Sequence, residues 1–162
     1  MPSGDVYTVL NKAITISTAI TVLQVKAGAN NGIVILRASL TQRGSTTSVQ
    51  EDIALVRKST AATVTAAIDS PGSATSTIIR RDPNQAAASA TLSTSGTGIT
   101  GTVEGTNTET VVREAFNVLN GWNYLPVPEE RIFVPPAGIL AMVFITAPAS
   151  QAWDAELVFM ET

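Results

Sequence analysis

The chain has 162 residues, of which 44% are hydrophobic and only 14% are charged. Its 10 basic and 13 acidic residues give a net charge of −3, so it offers no basic field for nucleic acid and little attraction to an anionic membrane. It contains neither histidine nor cysteine, which excludes Ser-His-Asp and Cys-His catalysis and thiolate metal sites. We therefore expect a single domain without a cofactor that works by binding and not by catalysis.

Short β-branched runs at residues 6–10, 13–17, 20–27 and 33–41 predict strands from the start of the chain. The motif Asn30-Asn31-Gly32 separates the last two runs, and Asn-Gly between two strands predicts a hairpin because both residues tolerate a positive φ. In residues 33–41 the apolar side chains alternate with polar ones, which indicates a sheet with one buried side. The residues expected on the buried side are Val34, Leu36, Ala38 and Leu40.

The middle of the chain gives weaker signals. Residues 50–58 predict another strand, whereas residues 59–68 fit a helix by their alanines and a strand by Thr63, Val64 and Thr65. Residues 82–108 are rich in Ala, Ser, Thr and Gly, and we expect one long polar loop or arm there. Such an arm could reach a neighbouring subunit.

The C-terminal third predicts three strands. Residues 110–119 have spacings that fit either a helix or a strand, and we favour a strand because the surroundings are all β. Residues 139–146 are apolar on both faces, as in a central strand or at a subunit interface. Residues 153–160 alternate, with Trp153 on the apolar side and Asp154 and Glu156 on the other. A chain of many short strands without a βαβ rhythm predicts an all-β sandwich or barrel.

Few residues suggest a catalytic or ligand-binding role. Gly96, Gly98 and Gly101 match a G-x-G-x-x-G dinucleotide motif, but neither a preceding strand nor a following helix is evident, so a flexible loop is the better interpretation. Asp154 and Glu156 share a strand face and could serve a glycosidase or help bind calcium. A solvated outer edge explains them more simply, because calcium needs six to eight oxygen ligands.

Four residues are the candidates for an interface: Arg80, Arg81, Trp122 and Tyr124. The two arginines precede Asp82 in a charged turn, and in a chain so poor in charge they could form a salt bridge between subunits. Trp122 and Tyr124 could stack on a sugar ring, close one end of the sandwich, or pack at an interface, where both residue types are enriched.

Several stretches resemble a known family. They are Arg113-Glu114-Ala115-Phe116-Asn117-Val118-Leu119-Asn120-Gly121-Trp122, Pro126-Val127-Pro128-Glu129-Glu130-Arg131-Ile132, Val134-Pro135-Pro136-Ala137-Gly138, and Trp153-Asp154-Ala155-Glu156-Leu157-Val158-Phe159. Together with the Ala/Thr/Ser-rich composition, they resemble the head decoration (cement) proteins of tailed bacteriophages.

The resemblance implies a jelly-roll-like two-sheet β-sandwich over residues 1–162. It also implies a homo-oligomer, as a trimer, that binds the major capsid protein on the capsid exterior and stabilises the head. The start of the sequence lacks the basic and apolar regions of a signal peptide, so synthesis in the host cytoplasm is expected. The alternative is a carbohydrate- or receptor-binding module of a phage tail or fibre, which would require an exposed Trp122 and Tyr124.

Overall fold

The computed structural model describes residues 4–44, 47–63, 78–92 and 104–162. These residues form ten β-strands and a single-turn 3-10 helix, Pro128–Glu130. The strands are β1 Val6–Ile16, β2 Thr21–Lys26, β3 Ile33–Arg43, β4 Gln50–Thr60, β5 Ile79–Arg80, β6 Thr106–Asn117, β7 Trp122–Tyr124, β8 Phe133–Val134, β9 Ile139–Phe144 and β10 Gln151–Glu161.

The strands form two antiparallel sheets that pack face to face. The first sheet has the order β5-β1-β10-β3-β7, with the short β8 also paired to β3, and the second has the order β2-β9-β4-β6. Apart from β5 and β8, each sheet has four strands, and the chain passes from one sheet to the other at almost every connection. This is the topology of a jelly roll. The prediction of an all-β, jelly-roll-like two-sheet sandwich is therefore confirmed.

The core lies between the sheets and is centred on Trp153. The Trp153 ring is completely buried and makes edge-to-face contacts with Phe144 at 4.9 Å and with Phe116 at 6.1 Å between ring centroids. Tyr7 stacks on Phe159 at 5.6 Å nearby. The Trp153 contacts join the two sheets, because β10 lies in the first sheet and β6 and β9 in the second, whereas Tyr7 and Phe159 both belong to the first sheet.

The C-terminal strands follow the sequence pattern. All six residues of β9 are buried, and β9 lies between β2 and β4, so its apolar character on both faces is that of a central strand. In β10 the residues Trp153, Ala155 and Leu157 are buried, while Asp154 and Glu156 are only partly so. The preference for a strand over a helix at residues 110–119 is confirmed by β6.

The hairpin predicted at Asn30-Asn31-Gly32 is wrong. The strands on either side of it lie in different sheets, since β2 pairs with β9 and β3 pairs with β10, β7 and β8. Gly32 lacks a positive φ, and a Cβ at this position would lie 2.6 Å from the Phe133 ring. The glycine therefore permits β8 to lie close to the connection between β2 and β3.

The predicted face of β3 is right for Ala38 and Leu40 and wrong for Val34 and Leu36. A β-bulge interrupts the pairing with β10, where Val158 faces Arg37 but the next residue, Phe159, faces Ile35. Leu36 is the extra residue, and it shifts the alternation by one, so Ile33 and Ile35 enter the core instead. Leu36 and Arg37 are consequently both left half-buried outside it.

Part of the long loop predicted at residues 82–108 belongs to the sheets. Residues 106–108 open β6, and Thr91 forms a bridge to Lys26 at the edge of β2 with hydrogen bonds of 2.8 and 2.9 Å. Residues 93–103, which contain the G-x-G-x-x-G match, lie outside the described residues. Residues 64–68 also lie outside the described residues, so both the helix and the strand interpretation of that stretch stay predictions.

An ion pair between a buried ammonium and a partly exposed carboxylate fixes the start of β6 to the second sheet. The Lys58 ammonium is fully buried and lies 3.7 Å from the Glu104 carboxylate, and it also donates to the Glu104 backbone carbonyl. The same carboxylate accepts hydrogen bonds from the Thr21 backbone amide at 2.8 Å and the Thr21 hydroxyl at 2.6 Å. Glu104 therefore ties β2, β4 and β6 together.

Removing this carboxylate should destabilise the protein. We expect Glu104→Ala to lower the free energy of unfolding by about 3 kcal/mol, because it leaves the Lys58 ammonium buried without its counter-ion. Glu109→Ala is the control, since its pair with Arg57 is largely exposed and contributes about 0–1 kcal/mol. Urea denaturation of both variants measures the difference, and equal losses of stability would contradict this role of Glu104.

Lys58 should also give stability a pH dependence. Burial lowers the pKa of the Lys58 ammonium below its ordinary 10.5, although Glu104 opposes the shift. Just below pH 10.5 the unfolded chain then binds more protons than the folded protein, so the free energy of unfolding contributed by Lys58 rises with pH there. Urea denaturation across this range should show a more positive slope for the native sequence than for Lys58→Met. An equal or smaller slope would show that Lys58 titrates as it does in water.

Candidate binding surface

The outer face of the first sheet carries a groove that mixes apolar and cationic side chains. The bulge in β3 turns Leu36 and Arg37 toward it, and the last strand contributes Val158. The groove has a volume of about 510 Å³. We call it the arginine groove and define it by its lining residues, Val6, Leu36, Arg37, Arg81, Leu125, Arg131 and Val158.

The arginine groove holds more positive than negative charge. The Glu156 carboxylate on β10 lies 2.5 Å from the Arg37 guanidinium and 3.4 Å from that of Arg81. Arg81 is held in place by a second hydrogen bond, of 2.7 Å, from its Nε to the Thr8 hydroxyl. The Arg37 Nε is buried without an acceptor, and Arg131 is exposed at the side of the groove. The groove therefore holds three arginines and one carboxylate, which pairs with two of them, and this excess of positive charge suits an anionic group from outside.

An apolar surface adjoins the groove along residues 125–136, which we call the proline-rich segment. Four prolines keep this segment extended and short of hydrogen-bonding amides. Three large apolar side chains are left exposed on it, namely Leu125 (70%), Val127 (54%) and Phe133 (49%). A hydrogen bond of 2.9 Å from the Tyr124 hydroxyl to the Glu130 carbonyl holds its 3-10 turn against the end of β7.

The two arginines predicted as interface candidates are both exposed, but they differ in their surroundings. Arg81 lines the groove, whereas Arg80 on β5 donates a hydrogen bond of 2.9 Å to the Gln85 carbonyl. The structure thus brings only one of the two to this surface, where it pairs with Glu156 within the chain.

The two aromatic candidates are positioned by the core. Trp122 is only 4% exposed, and its indole donates a hydrogen bond of 2.7 Å to Glu114. Tyr124 stacks on it at 6.4 Å and is half-buried, and burial together with nearby Glu130 raises the pKa of Tyr124 above 10.0. Of the roles considered for Trp122, its burial fits closing part of the sandwich and does not fit stacking on a sugar or contact with a partner.

The carboxylates that had a possible chemical role are held by arginines. Asp154 pairs with Arg43 at 2.8 Å and accepts the Ala13 backbone amide at 2.7 Å, while Glu156 pairs with Arg37 and Arg81. Among the described residues no three His, Cys, Asp or Glu side chains cluster as metal ligands would. Asp154 and Glu156 thus lie on the outer face as predicted, but on a central strand and in partly buried ion pairs and not at a solvated edge.

Sequence reasoning missed most of the groove. Leu36 was assigned to the core because the sequence of β3 alternates without showing where the bulge lies. Nothing in the sequence distinguished Arg131 from its charged neighbours. The four prolines around Leu125, Val127 and Phe133 were the available signal, since prolines prevent a segment from joining the centre of a sheet. The groove itself depends on strands far apart in the chain.

Comparison with known proteins adds nothing to these observations. The chain matches no protein-family model, no curated protein and no solved structure. In the part of the chain that the structure describes, no helix is long and apolar enough to cross a membrane.

Both tryptophans should be inaccessible to solutes in the folded protein. Trp153 is fully buried and Trp122 almost so, so we expect weak quenching of tryptophan fluorescence by iodide and a marked increase on unfolding in urea. Addition of simple sugars should leave the emission unchanged, because neither indole can stack on them. Strong quenching in the native state would place Trp122 at the surface and restore a possible sugar platform.

Proposed function

We propose that this chain is a virion structural protein, a capsid decoration (cement) protein that binds major capsid subunits and other copies of itself on the exterior of a phage head and stabilises it. It acts by binding, and it needs neither a cofactor nor a catalytic residue. The proposal combines the resemblance of the C-terminal third with the surface chemistry of the fold.

The exposed proline-rich segment is the observation that carries the proposal. Leu125, Val127 and Phe133 present apolar side chains to solvent in a chain with only 14% charged residues. Apolar side chains grouped on an extended segment beside a polar groove are typical of a protein–protein contact. A free monomer would gain nothing from keeping them exposed.

The expected binding energy of this contact suits a capsid lattice, in which the contact is repeated. Burying a side chain of this kind completely stabilises by about 1.5–3 kcal/mol, so three half-exposed ones contribute about 2–5 kcal/mol. This is too little for a tight complex of one protein with one partner. On a capsid, the same contact recurs at many sites and several copies act together, so a modest energy per contact is sufficient.

The alternative of a carbohydrate- or receptor-binding module is less well supported. It requires both rings of Trp122 and Tyr124 at the surface, but Trp122 packs in the core. The groove with a free cationic group, Arg131, fits an anionic partner better than a neutral sugar.

The test is co-sedimentation of the purified protein with capsids of the phage that encodes it, prepared without this chain. We expect saturable binding, and decorated particles that resist heating better than bare ones. Absence of binding at micromolar protein concentrations would contradict the proposal.

Two matched leucine variants locate the contact. Leu125→Ser should weaken binding to capsids about tenfold, because it removes roughly 1.4 kcal/mol or more of apolar burial. Leu119→Ser is the control, since Leu119 is 53% exposed in the turn between β6 and β7 and outside the proline-rich segment. Circular dichroism should show the same fold for both variants. Equal binding of the two would place the contact elsewhere.

A further inference from the structure

The carboxylates of the chain are almost all engaged within it. Among the described residues, every aspartate and glutamate has a hydrogen-bond or ion-pair partner, except Glu129 and Glu130. Both are exposed on the 3-10 turn Pro128–Glu130. In a chain with so few charges, two adjacent unpaired carboxylates are available to a partner.

The cations that could pair with them lie next to the turn. Arg131 follows Glu130 directly and has no carboxylate partner within the described part of the chain. It lines the arginine groove with Arg37, whose Nε lacks an acceptor, and with Arg81. Three guanidinium groups against the single carboxylate of Glu156 leave a net charge of +2 there.

Apolar side chains accompany the charges on both sides. Val127 precedes the acidic turn and is 54% exposed, and the groove is lined by Val6, Leu36 and Val158 beside its arginines. The turn and the residue before it thus offer two carboxylates and an apolar side chain, and the groove offers apolar side chains and an excess of cationic ones. The two surfaces are complementary in both respects.

We infer that the Pro128–Glu130 turn of one copy docks in the arginine groove of a second copy, with Glu129 and Glu130 facing Arg37 and Arg131. A second copy is the occupant that the charges favour, because this chain itself carries the carboxylates that its own groove lacks. The contact joins two different surfaces of the chain, so it can repeat head to tail and close the trimer that the resemblance implies. The inference rests on the self-association included in the proposed function and assigns it to particular residues.

Charge reversal tests the contact directly. Sedimentation equilibrium at 0.15 M salt compares the native chain with Arg131→Glu and with the double variant Glu129→Arg/Glu130→Arg. Like charges then face each other, and we expect each variant to associate at least about tenfold more weakly than the native chain. An equimolar mixture of the two variants restores opposite charges across the contact and should recover association.

Lys12→Glu is the matched control. Lys12 has no partner within the described residues and is not among the residues that line the groove, so Lys12→Glu changes the net charge by the same amount as Arg131→Glu but should leave association unchanged. Its mixture with the Glu129→Arg/Glu130→Arg variant should not recover association. Circular dichroism and thermal unfolding confirm the fold of each variant, and Arg131→Gln and Glu130→Gln replace a reversal that does not fold.

The outcomes separate this inference from the proposed function. Equal association of all variants, or a mixture that fails to recover, would overturn the contact and leave the proposed function standing. A native chain that stays monomeric at high concentration would overturn both the contact and the self-association. Binding to capsids would then still be decided by co-sedimentation.

Discussion

The structure depends on the burial of two apolar sheet faces against each other. Trp153 on β10 and Phe144 on β9 meet at the centre of this interface, and each belongs to the middle of its sheet. Because the chain changes sheets at almost every connection, nearly all strand pairs join residues that are far apart in sequence. No part of the sandwich can bury its apolar side without the rest.

This burial determines what is left on the outside. Once Trp153, Ala155 and Leu157 point inward, the alternation of β10 places Glu156 and Val158 on the outer face. A bulge in the neighbouring strand adds Leu36 and Arg37 to the same face. The arginine groove is thus a consequence of the register of β10 and β3. Within it, the Glu156 carboxylate pairs with both Arg37 and Arg81.

The proline-rich segment completes this surface. Its prolines leave Leu125, Val127 and Phe133 outside the core, and its short turn carries the two unpaired carboxylates Glu129 and Glu130. Elsewhere in the described chain, acidic groups have partners within the chain, including Glu104, which pairs with the buried Lys58 ammonium. Exposed apolar side chains and unpaired carboxylates therefore occur together along this segment, which is the basis for proposing assembly through it.

The amino-acid sequence by itself determined the all-β class, the apolar character of residues 139–146 on both faces and the inward face of the last strand. These features follow from the alternation and the apolar runs of local segments, which reflect burial directly. The sequence also excluded histidine- and cysteine-based chemistry.

Only the tertiary structure decided the connection at Asn30-Asn31-Gly32, the burial of Trp122 and the outward placement of Leu36. A turn motif specifies local backbone geometry but not the partner strand, which is chosen by long-range pairing. A bulge shifts the alternation without changing any residue type, and an aromatic side chain packs inside or outside according to elements distant in the chain. The groove is made from five separated segments, and no local pattern could have brought them together.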